Sequence, residues 1–148
     1  MSLANGLYTI TSLSHNLKIG RHPIEDRSLL PKRVMAMEPS DDALCSSIAP
    51  WTIEESGGET YTMRTAGGTA GDVDGRLYAH LMMEEQAEKW RIERCPQAGE
   101  CCFVVTKPDR SVCWTVPSDG ETNQVELRPL DPAHPPTQVF RIEPVSDL

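Results

Sequence analysis

Four histidines, five cysteines and scattered carboxylates are the side chains of this chain that could do chemistry, and their spacing assembles no catalytic set. His15, His22, His80 and His134 form no His-Glu-x-x-His pair. The chain also lacks a Gly-x-Ser-x-Gly elbow, a Walker loop and a dinucleotide-binding fingerprint. Nothing local prepares a nucleophile, so neither an enzyme nor a bound cofactor is expected. Asp72 and Asp74 put two carboxylates on one face of an expected strand, which could start a calcium site. The EF-hand loop pattern is missing, however, and Asp74-Gly75 reads more simply as a turn. Cys45, Cys95, Cys101, Cys102 and Cys113 contain no C-x-x-C knuckle, so no zinc site or other metal centre is expected. Their odd number and the vicinal pair fit a reducing compartment better than a disulfide framework. Consecutive strand residues point to opposite faces, so one of Cys101 and Cys102 is expected to be a small core residue.

Charge and length narrow the partners. The 148 residues include 14 Lys+Arg and 22 Asp+Glu, a net charge of −8. That acidity argues against nucleic acid, which a net basic face would attract. No apolar run approaches the roughly 20 residues of a membrane helix, so no membrane partner is expected. Met-Ser-Leu-Ala-Asn-Gly lacks the basic start and apolar centre of a signal peptide, which points to a cytoplasmic protein. The length suits one monomeric domain over residues 1–148.

The elements that must position any site are strands. Leu7–Thr11, Tyr61–Thr65 and Cys102–Thr106 alternate or are β-branched. Asn5-Gly6, Gly57-Gly58, Gly67-Gly68, Asp74-Gly75 and Asp119-Gly120 supply turns. Leu81–Lys89 is the best helical stretch, but it is short and uncapped and reads as a turn or helical loop. An aromatic-x-Ile-Glu motif recurs three times, at Trp51-Thr-Ile-Glu54, Trp90-Arg-Ile-Glu93 and Phe140-Arg-Ile-Glu143. Two further strands fall within each unit: Asn16–Ile19 with Arg33–Met37, Ala70–Asp74 with Arg76–Leu81, and Ser111–Val116 with Gln124–Arg128. Four strands in each of three units make twelve, with the first and last as neighbours. A sandwich or another barrel does not require threefold repetition, so the expected fold is all-β, a pseudo-threefold β-trefoil. Trp51, Trp90 and Phe140 are expected to point inward, with Ile53, Ile92 and Ile142 joining them at period two.

Leu3-Ala-Asn-Gly-Leu-Tyr-Thr-Ile10, Pro50-Trp-Thr-Ile-Glu54, Glu88-Lys-Trp-Arg-Ile-Glu93 and Val139-Phe-Arg-Ile-Glu143 together make the whole chain resemble the mushroom β-trefoil protease inhibitors. The likeness is strongest to the serine-protease inhibitors of inky-cap fungi. The resemblance implies a single trefoil domain whose loops inhibit trypsin-like serine proteases. Related mushroom trefoils inhibit cysteine proteases through other loops, which is one alternative. Ricin-type trefoils offer another, because they carry Gln-x-Trp in each repeat and bind galactose. Here Gln138-Val-Phe140 keeps one such copy, whereas Ala49 and Glu88 replace the glutamine before Trp51 and Trp90.

Under the inhibitor reading, a basic anchor must sit on an exposed, extended loop. Trypsin's specificity pocket ends in an Asp, so Arg or Lys at the cleavage position (P1) fits it, and a pre-organised loop lowers the ordering cost of binding. Gly20-Arg-His-Pro-Ile-Glu-Asp-Arg-Ser-Leu-Leu-Pro-Lys32 is long for a strand connection, and Pro23 and Pro31 restrict it near both ends. Arg27 is central and is followed by the small Ser28, so Arg27-Ser28 is the expected scissile-like bond. Glu25, Asp26 and Leu29 complete the reactive loop. Acids beside P1 suit trypsin poorly, yet Glu25 and Asp26 could slow hydrolysis or hold the loop through Arg21 or Lys32. Pro23 disfavours the Arg21-His22 bond, and Lys32 and Arg33 are expected to be entering a strand already.

Overall fold

A computed structural model describes residues 3–14, 16–21, 32–37, 50–57, 59–81, 88–117 and 124–145. Its strands are β1 (Gly6–Ser12), β2 (Lys18–Arg21), β3 (Lys32–Met37), β4 (Trp51–Gly57), β5 (Thr60–Thr65) and β6 (Gly68–Val73). They continue as β7 (Arg76–His80), β8 (Trp90–Arg94), β9 (Cys102–Thr106), β10 (Cys113–Thr115), β11 (Glu126–Arg128) and β12 (Phe140–Pro144). Among the described residues the only helical turns are 3-10 segments at Pro96–Ala98 and Pro136–Gln138. Of the stretch read as a turn or helical loop, Leu81, Glu88 and Lys89 lie outside any strand or helix, while residues 82–87 fall outside the described set. No helix among the described residues is long and apolar enough to cross a membrane.

Two sets of strand pairings organise the protein. β1 pairs with β4, β4 with β5, β5 with β8, β8 with β9, β9 with β12, and β12 again with β1. These six strands therefore close a ring, so none of them is left as a free edge. The other six form the hairpins β2–β3, β6–β7 and β10–β11. β7 pairs with both β3 and β11, and Met35 bridges to Gln124, which joins the three hairpins to one another. Val34, Leu77 and Val125 are completely buried where they meet. Leu77 N–H donates to Val125 C=O and Val125 N–H to Val34 C=O, each at 2.9 Å.

Register reveals the internal repetition. Tyr8 stands opposite Trp51, Tyr61 opposite Trp90, and Phe103 opposite Phe140. All six rings are buried and form the centre of the core. In the hairpins the matching pairs are Ile19–Ala36, Ala70–Ala79 and Trp114–Leu127. One large side chain, Trp114, thus offsets two smaller ones at equivalent positions. It packs against Trp51, Trp90 and Phe140 at centroid distances of 5.5, 5.7 and 6.0 Å, with tilted or edge-on geometry.

Turn chemistry follows the sequence locally. Asp74 (φ +52°) and Gly75 (φ +82°) make the left-handed turn between β6 and β7, with Asp72 Oδ1 accepting Gly75 N–H at 2.8 Å. Between β5 and β6 the left-handed residues are Ala66 and Gly67, one position earlier than the expected Gly67-Gly68 turn. Gly68 instead begins β6, where a Cβ would lie 2.7 Å from Ala79 Cβ; the close approach of the strands requires glycine there.

One core expectation needs correction. Ile53 and Ile142 are buried, but Ile92 is only half-buried. β8 pairs with β5 at only two positions, Thr60–Arg91 and Tyr61–Trp90, because the chain turns at Glu59 (φ +65°). The wall ends beside Ile92, which lines a cleft of about 340 Å³ with Tyr61 and Arg91.

Candidate functional site

The β2–β3 hairpin carries the connection expected to bind a protease. Its ladder runs from Lys18–Met37 to Arg21–Val34. Elements outside the hairpin hold both arms of the stem. Trp51 Nε1 donates to Ile19 C=O at 2.9 Å, and the Arg21 guanidinium donates to Ala66 C=O in the β5–β6 turn. On the other arm, Lys32 and Arg33 lie opposite Ala79 and Tyr78 of β7. These tertiary contacts place the stem residues before any partner arrives.

Residues 22–31 lie outside the described residues, and with them Pro23, Glu25, Asp26, Arg27, Ser28, Leu29 and Pro31. The basic residues at the stem are described. Arg21 is half-buried and engaged with Ala66; Lys32 is the first residue of β3 and buried. Arg33 is exposed but fixed in strand conformation. None of these three has the form of an accessible loop anchor.

Another connection presents a basic side chain that sequence inspection did not single out. Between β9 and β10, Lys107 N–H donates to Val112 C=O, and Arg110 N–H to Lys107 C=O at 2.8 Å. Asp109 Oδ1 accepts Ser111 N–H at 2.9 Å, and this bond holds the Asp109 carboxyl below its ordinary range. Arg110 sits at φ +62°, and its guanidinium pairs with Glu93. A left-handed residue is not substrate-like, since a protease binds extended chain. The run Lys-Pro-Asp-Arg-Ser was a readable turn signal, but its handedness depends on the flanking ladder.

The residues behind the sugar-binding alternative are committed to the interior. Trp51, Trp90, Phe140 and Trp114 are all buried, so no aromatic platform of theirs faces solvent. Gln138 is also buried. Its Oε1 accepts Asp131 N–H at 2.9 Å, and its Nε2 donates to Pro129 C=O at 3.0 Å and to Thr115 Oγ1 at 3.2 Å. The buried amide thereby engages the buried Thr115 hydroxyl and two part-buried backbone groups, and ties β10 to the segment before β12.

The remaining candidates have structural roles. Asp72 Oδ2 pairs with Lys107 Nζ at 2.8 Å, and Asp72 N–H donates to Glu88 Oε1 at 3.0 Å. The Lys107 ammonium is held above its usual range, chiefly by the hydrogen bond to Asp72. No group of three or more His, Cys, Asp or Glu among the described residues could hold a metal ion. Cys102 is buried and Cys101 exposed, the division expected for adjacent strand positions. His15, His22 and Cys45 lie outside the described residues.

A closed six-stranded ring with three hairpins, one bearing a firmly held stem, is a scaffold for presenting loops. Comparison with known proteins gives this scaffold its class, that of protein inhibitors of proteases rather than enzymes. Residues 1–144 match the model of the peptidase inhibitor I66 family, and the chain belongs to that family. It is 35% identical over 147 residues to a serine protease inhibitor of Lentinula edodes, covering 95% of this chain and 97% of that one. Among solved structures it is similar to a proteinase inhibitor from Coprinopsis cinerea, with a TM-score of 0.82 and 33% identity. That match covers 97% of this chain and 100% of the other. A Macrolepiota procera ricin B-like lectin, solved with lactose, shares the fold at a TM-score of 0.67 and 19% identity, covering 98% and 99% of the two chains.

Proposed function

We propose that residues 1–148 form a single β-trefoil domain that reversibly inhibits trypsin-type serine proteases in a substrate-like manner. Arg27 is the P1 anchor, its guanidinium directed to the acidic base of the specificity pocket. Asp26 and Glu25 precede the scissile-like bond, and Ser28 and Leu29 follow it. The protein acts as a cytoplasmic monomer.

The anchored β2–β3 stem is the observation that carries this reading. Ile19 and Arg21 on one arm, and Lys32 and Arg33 on the other, are tied to elements outside the hairpin. A loop whose ends are held loses less conformational freedom on binding, which converts a slow substrate into a tight ligand. Engagement of Arg21 and burial of Lys32 also favour Arg27 as the basic residue offered to a protease. The interior role of Gln138 weighs against the lectin alternative.

Purified wild type and Arg27→Ala should be assayed against trypsin, with papain alongside. Inhibition of trypsin by wild type, lost in a variant of unchanged melting temperature, is the expected result. Full inhibition by folded Arg27→Ala would remove Arg27 as the anchor. Inhibition of papain alone would move the activity to other loops.

A further inference from the structure

The β8–β9 hairpin holds a cysteine pair that protease inhibition does not use. Its ladder pairs Arg94 with Phe103, so the next register position sets Cys95 opposite Cys102. Cys95 N–H donates to Cys102 C=O at 2.8 Å. Directly opposed residues of antiparallel strands have Cα atoms about 4.5–5.5 Å apart, within the roughly 4.4–6.8 Å span of a disulfide. Opposed side chains also share a face, and both cysteines belong to one small buried cluster with Val104 and Val139. Both are free thiols in this structure. Cys95 Sγ lies 3.7 Å from His134 Nδ1, and Cys102 Sγ donates to Ala98 C=O at 3.6 Å.

We propose that Cys95 and Cys102 are an oxidation site that closes to an intrachain disulfide when the protein meets a peroxide. The first step takes the Cys95 proton to His134, and the thiolate sulfur attacks one peroxide oxygen. The O–O bond breaks, hydroxide leaves and takes up a proton as water, and Cys95 becomes a sulfenic acid. The Cys102 sulfur then attacks the Cys95 sulfur, the S–O bond breaks, and the departing hydroxide takes up the Cys102 thiol proton and leaves as a second water. Two thiols have lost two electrons in total, and one peroxide has become two waters. A peroxide is small enough to reach a thiol at the end of a hairpin, where strand ends open most readily.

The other described cysteines do not compete. Cys101 points to the opposite face from Cys102 and is exposed. Cys113 is fully buried, and burial pushes its thiol up to about 11, which keeps it protonated and inert. Cys95 has the His134 imidazole beside its sulfur to take its proton, whereas Cys102 Sγ faces the Ala98 carbonyl, so Cys95 is the residue that reacts first. Closing the bond pins the Pro96–Cys101 connection, which contains the exposed Gln97.

The test uses the full-length protein, reduced and then treated with hydrogen peroxide. Denaturing digestion with trypsin and a glutamate-specific protease cuts after Arg94, Glu100 and Arg110, which separates Cys95 from Cys101-Cys102 and both from Cys113. The expected result is a linked pair of peptides in wild type, Cys101→Ser and Cys113→Ser. The link should be absent from Cys95→Ser and Cys102→Ser, and oxidised wild type should melt on the order of 5 °C higher than reduced. Alanine variants at 95 and 102 serve the same purpose if the serines do not fold. A link persisting in Cys102→Ser, a link to Cys45, or recovery of Cys95 only as thiol or sulfinic acid would overturn the proposal. None of these outcomes depends on protease inhibition.

Discussion

Trp51 donates its indole N–H to the carbonyl of Ile19 at 2.9 Å, and this bond joins the ring of six strands to the β2–β3 hairpin. Trp90 repeats it in the next unit with Ala70 at 3.2 Å. The third unit has Phe140 at the equivalent position, which has no N–H to offer. One residue type at one repeated position thus fills the core and sets the height of two hairpins.

Trp51→Phe leaves the buried Ile19 carbonyl without that donor and removes ring volume. It should cost about 2–4 kcal/mol in urea denaturation. Because Ile19 is on β2, the variant should also weaken protease inhibition beyond its effect on the folded fraction. An inhibition constant that does not change would mean the bond supports the fold alone.

Trp114→Phe tests the opposite case. Trp114 Nε1 has no hydrogen-bond partner, so its loss forfeits packing but no hydrogen bond. The expected cost is about 1–2 kcal/mol, less than for Trp51→Phe, whereas Trp114→Ala should cost about 3–5 kcal/mol through the cavity left among Trp51, Trp90 and Phe140. The order of the two phenylalanine variants is the measurement that decides.

Arg27 should behave as an interfacial anchor. Arg27→Leu is expected to weaken trypsin inhibition about 100-fold or more, roughly 3 kcal/mol, while Arg27→Lys keeps most of it. Neither should shift the melting temperature by more than a degree or so, as an anchor that acts only on the partner requires. A stability loss accompanying the loss of inhibition would indicate a structural role instead.

Gln138→Leu should cost about 2–4 kcal/mol, since it strands Asp131 N–H, Pro129 C=O and Thr115 Oγ1 in one step. Isothermal titration should detect no lactose binding by wild type. Binding of lactose that Gln138→Leu abolishes would reverse the interior assignment of this amide.

Alkaline pH should destabilise the fold. The Cys113 thiol is raised to about 11 from its ordinary 9.0, so it stays protonated in the native state over a range where the unfolded chain ionises. The raised group's contribution is intact below pH 9 and is lost as pH climbs toward 11, at most about 2–3 kcal/mol. Lys107, also raised through its bond to Asp72, adds a loss in the same direction at higher pH. Denaturation curves from pH 7 to 11 should show this fall, and Cys113→Ala should flatten the part between 9 and 11 whatever its own baseline stability.

Much of this protein is written locally. Alternation places the strands, Asp74-Gly75 places a hairpin turn, and the recurrence of Trp51, Trp90 and Phe140 announces three units, because side-chain period and turn handedness depend on a few neighbouring residues. The acidic composition and the missing catalytic motifs are equally plain on the page. What only the tertiary structure decided are relationships between distant segments. The burial of Lys32, the engagement of Arg21 by Ala66 and the bonding of Gln138 to Thr115 arise where separate strands and connections meet. So do the half-exposure of Ile92 and the packing of Trp114 against Trp51, Trp90 and Phe140. Each depends on which strand lies alongside and where its pairing stops, and no window of neighbouring residues contains that information. The histidines and cysteines carry chemical potential in the sequence; the ring and its three hairpins determine which of them face one another.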